Sequence, residues 1–150
     1  MAHETIASKD ETLKTSKPTW LELEYVDERE AAKTTWVVVT LNCNGQMISG
    51  MSPVIKKRRR RYAIHRTALA TLNAIELFSH HELAGELVDV EMVTVGGGAA
   101  LLVRVRVTSD GTPTELFGMA RVEGDLAETA AHAVLDAVNV YIDNLLTRGH

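Results

Sequence analysis

The sequence has few of the features that mark secreted, membrane or disordered proteins. One cysteine, Cys43, occurs in 150 residues, so no internal disulfide is expected and the chain fits a reducing cytoplasm. No apolar run approaches the roughly 18 residues of a membrane span, and Met1–Glu4 lacks the basic start of a signal peptide. Aromatic residues make up only 5%, but 45% hydrophobic residues are too many for a disordered chain. We therefore expect a soluble globular protein without a membrane partner.

The sequence also lacks the patterns of catalysis and of metal or cofactor binding. Its six histidines have no metal-ligand spacing, and Cys43 has no basic neighbour that would activate its thiol. Gly96–Gly98 falls between two predicted strands, which indicates a flexible connector rather than a phosphate-binding loop. We interpret the chain as a non-enzyme without cofactor or metal.

The sequence pattern occurs twice along the chain. Residues 1–18 are polar and predict a frayed leader, followed by a single domain of residues 19–150. Within that domain, two halves of about 19–80 and 85–147 each show three strand patterns and one long helix pattern. This predicts an α+β fold made by tandem duplication of a β-β-β-α unit, with pseudo-two-fold symmetry.

The strands and turns of the two halves align at a nearly constant offset. The alternating apolar and acidic residues of Leu21–Val26 recur in Val88–Val93, 67 positions later. The hairpin signals Asn44-Gly45 and Asp110-Gly111 lie 66 positions apart. We expect antiparallel sheets whose dry faces are covered by the helices.

The two predicted helices, about 59–78 and 126–146, also align at 66 and place Asn73 opposite Asn139. Asparagine is unfavourable inside helices, so these side chains could hydrogen-bond across the symmetry axis or to a strand end. A surface position is the alternative. Together with Gly97, they are candidate ligand or interface residues.

Apolar stripes on the two helices predict which faces are buried. The stripes consist of Ile64, Ala68, Leu72 or Thr71, and Ile75, and of Leu126, Ala130, Ala133 or Val134, Ala137, Tyr141 and Leu145. Since each half alone is too small to bury much surface, we expect the halves to pack together. Packing across a homodimer is the alternative.

The starts of the two helices differ in charge. The second begins with Asp125 as a predicted N-cap and Glu128 three residues later, both favourable at the positive end of a helix. The first begins with six cations, followed by Arg66 about a turn later, and these charges oppose the helix dipole. The six are Lys56, Lys57, Arg58, Arg59, Arg60 and Arg61. Without them, the net charge of −4 becomes −10.

This basic run has two interpretations. It could be a solvated turn, neutralised by acidic groups elsewhere in the fold or in a dimer mate. It could instead bind an anion, either nucleic-acid phosphates or a small ligand at the helix start. The overall pI of 5.8 and the single nearby aromatic, Tyr62, speak against nucleic acid.

Gly124–Asn139 resembles the C-terminal helix of α-isopropylmalate synthase, whose regulatory domain ends in a similar pattern of Gly-x-Asp, small residues and Ala-x-x-x-Ala-x-Asn. That domain is also a pair of β-β-β-α units, and the resemblance in topology covers about residues 20–146. It implies a regulatory domain that mediates dimer contacts and binds leucine between its halves.

Two features depart from the synthase pattern. The synthase has a catalytic barrel before this domain, and 150 residues leave no room for one, so we do not expect its activity. The family's Gly-Pro-Val-Asp-Ala type of segment before the first helix is matched here only by Pro53-Val54, within Gly50–Ile55. Leucine binding is therefore not carried over.

These observations predict a stand-alone regulatory or dimerisation module without catalysis. Its expected partners are a second copy of the chain and a small-molecule effector such as an amino acid or carboxylate. The alternative is a module that binds nucleic acid or another anionic partner through Lys56–Arg61.

Overall fold

A computed structural model describes residues 21–53 and 60–148, with the backbone alone at 60–62 and 145–148. The predicted leader, 1–18, lies outside the described residues. The elements in chain order are β1 (Glu22–Ala31), β2 (Thr34–Cys43), β3 (Gln46–Met51), α1 (Arg60–Phe78), β4 (Leu83–Val95), β5 (Gly98–Ser109), β6 (Thr112–Arg121) and α2 (Leu126–Arg148). None of the described helices is both long and apolar enough to cross a bilayer.

The strands form two antiparallel sheets of three strands each, in the orders β1-β2-β3 and β4-β5-β6. Each sheet is followed by its long helix, so the predicted α+β fold with a repeated β-β-β-α unit is confirmed. Consecutive strands pair through short hairpins, which is why each sheet keeps the order of the sequence.

All four hairpins turn through two residues with positive φ. The sequence predicts that a connector of residues 27–35 corresponds in the first half to Gly96–Gly98. This prediction is wrong, because β1 continues to Ala31 and turns through Ala32 and Lys33. Gly96 and Gly97 likewise form a tight turn instead of a flexible connector. Positive φ matches the twist of paired strands. Ala32 and Lys33 adopt it although neither residue type signals a turn.

The strand offset between the halves differs from the one expected. A break in register falls after Leu23 in β1 and after Leu87 in β4, so these strands correspond at 64 positions and not at 67. The turns Asn44-Gly45 and Asp110-Gly111 are 66 positions apart, as expected. The third strands, β3 and β6, correspond at 68 positions, so that Gly50 matches Gly118. The β5–β6 hairpin of the second half is therefore two residues longer on each strand than the β2–β3 hairpin of the first half. An alternating pattern repeats every two residues and so conceals this insertion of two. In the first strands the difference is three, because the predicted alignment matched residues before the register break in β1 with residues after it in β4.

The helices correspond at 63 positions, not at 66. A Cβ on Gly50 would overlap the backbone of Ala70 and Ala74, and a Cβ on Gly118 would overlap Ala133 and Ala137. The pairing of Asn73 with Asn139 is consequently wrong, since the residue that corresponds to Asn73 is Asp136. Residues three positions apart lie on roughly the same face of a helix. An alignment of the two helices that is wrong by three positions therefore still matches their apolar stripes.

The core lies between the helices and the inner faces of both sheets, in one continuous cluster. Val37, Val39 and Leu41 of β2 and Val103, Val105 and Val107 of β5 are buried there. Most of the predicted helix stripes are buried, and Ile64, Leu126 and Tyr141 are half-buried. The side chain of Leu145 lies outside the described part. The expected packing of the two halves against each other is confirmed.

We predict that Gly50→Ala and Gly118→Ala each destabilise the protein strongly, by about 3 kcal/mol, because the added methyl group overlaps helix backbone. Gly98→Ala is the matched control, since its Cβ would approach the Arg121 side chain and the Val95 carbonyl no closer than 3.8 Å, an ordinary contact distance. Urea unfolding followed by circular dichroism measures the three free energies of unfolding. Equal stabilities of the three variants would contradict the close approach.

Candidate functional site

The start of α1 is the part of the basic run that the structure reaches. Lys56–Arg59 lie outside the described residues, and of Arg60 and Arg61 only the backbone is described, as the first residues of α1. The structure brings this helix start beside the start of α2. Both line one pocket, formed by Ala63, Ile64, Gly124, Asp125, Leu126 and Ala127.

The two helix starts are capped differently. The Asp125 carboxylate accepts a hydrogen bond from the backbone N–H of Ala127 at 3.1 Å, which confirms it as the N-cap of α2, and Glu128 adds a charge in the first turn. Within α1, the first turn contains no acidic residue. The positive end of α2 is thus neutralised by the chain's own carboxylates. That of α1 has no such group in its first turn.

A second, mostly apolar pocket adjoins the first. It is lined by Ile64, His65, Val90, Met92 and Leu101, so Ile64 of α1 belongs to both pockets. The residues come from α1 in the first half and from β4 and β5 in the second. The region therefore combines helix backbone at one end with aliphatic side chains at the other, at the junction of the two halves.

Asn139 connects the two halves through the backbone of Leu21. It is 4% exposed on α2, its Oδ1 accepts from the Leu21 N–H at 2.9 Å, and its Nδ2 donates to the Leu21 carbonyl at 3.1 Å. A hydrogen bond from this residue to a strand end was one of the predicted alternatives, and it is the one observed. Both polar groups of the amide are engaged, so Asn139 has a structural role in the described fold.

Asn73 holds the edge of the first sheet. Its Oδ1 accepts from the backbone N–H of Met51 at 2.9 Å, at the end of edge strand β3. Asp136 does the same in the second half, where its Oδ2 accepts from the N–H of Met119 at 2.9 Å on edge strand β6. Asn73 also lines a groove with Ser52, Leu72 and Gly85, among others. Sequence reasoning missed the link between Asn73 and Asp136, because the two residue types differ.

Gly97 has a backbone role. It occupies the β4–β5 turn with φ of +81°, and a Cβ at this position would meet nothing within 4 Å. Positive φ alone explains a glycine here. The structure thus places the three candidates Asn73, Asn139 and Gly97 at a sheet edge, at the contact of the halves and in a turn.

Arg66 is a structural residue that the sequence grouped with the basic run. It is only 3% exposed, its Nη1 donates to the Thr35 hydroxyl, and its Nη2 lies 3.4 Å from the Glu28 carboxylate. Arg66, Ala70 and Ala74 follow one another at intervals of four along α1, so they lie on one face of the helix. Ala70 and Ala74 lie against Gly50. In the sequence, the small residues Ala70 and Ala74 at this spacing are the signal that would have placed Arg66 on a packed helix face.

Two of the described titratable side chains, Cys43 and Arg106, have a shifted pKa. Burial raises the pKa of the Cys43 thiol, and the Glu22 carboxylate raises it further, so the thiolate is disfavoured. The hydrogen bond to Glu115 raises the pKa of Arg106, and Glu86 adds to the effect. Within residues 21–53 and 60–148, no group of three or more His, Cys, Asp or Glu side chains could hold a metal ion.

Comparison with known proteins assigns no family to the chain. A scan against models of known protein families and a search of curated proteins found no match. The fold and the residues described above are therefore the basis on which a function is proposed.

We predict that Asn139→Ala lowers the free energy of unfolding by about 2–3 kcal/mol, because it leaves two buried backbone groups of Leu21 without partners. Asn73→Ala is the comparison, since it removes a single, more exposed hydrogen bond and is expected to cost about 1 kcal/mol. Urea unfolding measures both values. A smaller loss for Asn139→Ala than for Asn73→Ala would contradict the bridging role.

Proposed function

We propose that this chain is a non-catalytic regulatory or dimerisation module that senses a small carboxylate ligand, such as an amino acid, at the adjoining starts of its two helices. The observation that carries the proposal is the pocket between Ala63-Ile64 and Gly124–Ala127, which continues into an aliphatic pocket. The two pockets together offer helix backbone to the carboxylate of an amino acid and apolar side chains to its aliphatic side chain.

The backbone at the start of α1 favours an anion, while the Asp125 carboxylate in the same pocket favours the ammonium group of an amino acid. The first backbone N–H groups of a helix have no partner within the helix and carry about half a positive charge in total. Asp125 occupies this position in α2, whereas the first turn of α1 has no acidic residue and begins within the basic run. A ligand carboxylate would supply to α1 what Asp125 supplies to α2.

The apolar end favours an aliphatic side chain. Ile64 contributes to both pockets, and Val90, Met92 and Leu101 extend the apolar wall into the second half. A ligand that touches both halves stabilises the native state, since it has no comparable site in the unfolded chain. Such a ligand also links the relative position of the halves to its own concentration.

The resemblance to the regulatory domain of α-isopropylmalate synthase supports the same ligand class. In that family, leucine binds between the halves of a duplicated β-β-β-α domain, and the domain mediates dimer contacts. The departure at Gly50–Ile55 lies just before α1. For this reason we propose the class of amino acids and small carboxylates, and not leucine in particular.

We predict that an amino acid or small carboxylate raises the Tm. At a ligand concentration of 100 times Kd, the stabilisation is about 2.7 kcal/mol, which corresponds to a rise of roughly 5–10 °C for a domain of this size. Thermal-shift screening against the amino acids and simple carboxylates, followed by calorimetry, measures the effect.

Two variants locate the site. Ala63→Glu places a carboxylate at the start of α1, where it favours the helix but competes with an anionic ligand, so we expect binding to be lost in a folded protein. Val140→Glu is the control on an exposed position of α2 and should bind normally. The proposal fails if no compound raises the Tm, or if Ala63→Glu binds as tightly as the control.

The concentration of positive charge in one segment favours a second candidate function, in which the basic run binds an anionic macromolecule. Six of the chain's 16 basic residues are consecutive, and the remainder carries a net charge of −10. The run ends in the first turn of α1, so at least Arg60 and Arg61 belong to the helix start. Phosphates of a nucleic acid would be attracted to such a segment.

We predict for this candidate that changing Arg58–Arg61 to glutamine abolishes binding to a DNA or RNA oligonucleotide. Each phosphate contact that is lost also lowers the slope of log K against log salt by about one. Fluorescence anisotropy between 50 and 200 mM salt measures both effects, with Lys33→Gln in the exposed β1–β2 turn as the control. Absent binding at low salt, or binding insensitive to salt, would exclude this candidate.

A further inference from the structure

The outer face of the second sheet, the side turned away from the helices, contains exposed apolar side chains beside charged ones. Phe117 is 61% exposed and Met119 is 42% exposed on edge strand β6. Leu102 pairs with Met119 from the middle strand β5 and is half-buried. Adjacent exposed apolar side chains of this size mark surfaces that contact a partner.

Two neighbouring rows of this face differ in how their charges are paired. In one row, Arg106 donates to Glu86 at 3.0 Å and to Glu115 at 3.1 Å, so its charge is shared with both neighbouring strands. In the next row, Arg104 lies between Asp89 and Phe117. Phe117 thus stands where the first row has a carboxylate.

The charges of this second row have no ion-pair partners among the described residues. Neither Arg104 nor Asp89 forms an ion pair there, and the same holds for Glu91 one row further on. The Nε of Arg104 is enclosed by protein and has no hydrogen-bond partner in the described structure. These three side chains, together with Leu102 and Phe117, line a shallow pocket.

We propose that this face, made by Asp89, Glu91, Leu102, Arg104, Phe117 and Met119, is the surface on which a second copy of the chain docks. In a two-fold dimer, both copies use the same patch, so the patch must contain both members of each contact. It contains a guanidinium and two carboxylates that can pair between copies, and apolar side chains that can cover one another. The inference rests on the dimerisation part of the proposed function.

The charges of the face favour a second copy over other occupants. Glu86, Asp89 and Glu91 follow one another along β4, and they would repel a nucleic acid or an anionic membrane surface. A partner of uniformly positive charge would in turn meet Arg104 and Arg106. A copy of the same patch satisfies both signs at once.

Charge exchange between two variants tests the surface. In Arg104→Glu, three carboxylates on one copy face three on the other. In the double variant Asp89→Lys with Glu91→Lys, three cations on one copy face three on the other. We expect the wild type to dimerise at micromolar concentration and each variant alone to dissociate at least tenfold more readily. An equimolar mixture of the two should form a heterodimer, because every charge again meets its opposite. Sedimentation velocity between 1 and 100 μM measures all four samples.

Phe117→Ser provides a test independent of charge and should also weaken the dimer at least tenfold. Met47→Ser is the control, an exposed methionine on the first sheet, and should leave the dimer intact. Circular dichroism checks that each variant is folded.

Three results would overturn the inference: a monomeric wild type, a dimer that withstands Arg104→Glu and Phe117→Ser, or a mixture of charge variants that remains monomeric. A dimer that withstands these changes would leave dimerisation itself in place but on another surface. A wild-type monomer whose Tm rises with an amino acid would overturn the docking surface and leave ligand sensing intact. The two proposals therefore fail separately.

Discussion

The close approach of a strand to a helix, once in each half, determines how the rest of the molecule is arranged. Gly50 lies against Ala70 and Ala74, and Gly118 lies against Ala133 and Ala137, with no space for a Cβ on either glycine. At this distance, the next strand residue can donate its N–H to a helix side chain, to Asn73 in one half and to Asp136 in the other. The glycine fixes the helix along the sheet, and so sets where each helix begins.

Among the described residues, the halves are joined by apolar packing and by the hydrogen bonds of Asn139. Leu72 of α1 packs over Gly85 of β4 in the second sheet, where a Cβ on Gly85 would come within 2.8 Å of the end of the Leu72 side chain. The helix of the second half binds the backbone before β1 through Asn139. Each helix thus contacts strands of the other half, and the pockets at the helix starts lie where both halves meet.

The element types were predictable from the sequence, whereas the correspondence between the halves was not. Alternation in β1 and β4 and the apolar stripe of α2 identify strands and helix directly, because a strand repeats every two residues and a helix about every 3.6. The same periodicity makes shifts of two in a strand, or of three in a helix, invisible. Packing at Gly50 and Gly118 decides the alignment, and a pattern of hydrophobic residues contains no such distance. The turn at Ala32-Lys33 was missed because paired strands imposed it on unfavourable residues.

From the sequence, the candidate site was predictable only through the difference in charge between the starts of the two helices. Asp125 was identified as a cap because residue type and position agree with the geometry of a helix start. The bonding partners of Asn73, Asn139 and Arg66 lie far away in sequence, and no local rule identifies which residues they are. Arg104 and Asp89 also become distinctive only when the cross-strand register shows which charges are already paired.

The bond between Asn139 and Leu21 has a consequence for how the chain is made. The two residues are 118 positions apart, and a ribosome adding 5–20 residues per second takes roughly 6–24 s to cover that interval. During this time the hairpins of the first half can form, since their contacts are local. The polar backbone groups of Leu21 must meanwhile be satisfied by water. Leu21, which leads into β1, thus reaches its native hydrogen bonds later than the strand that follows it.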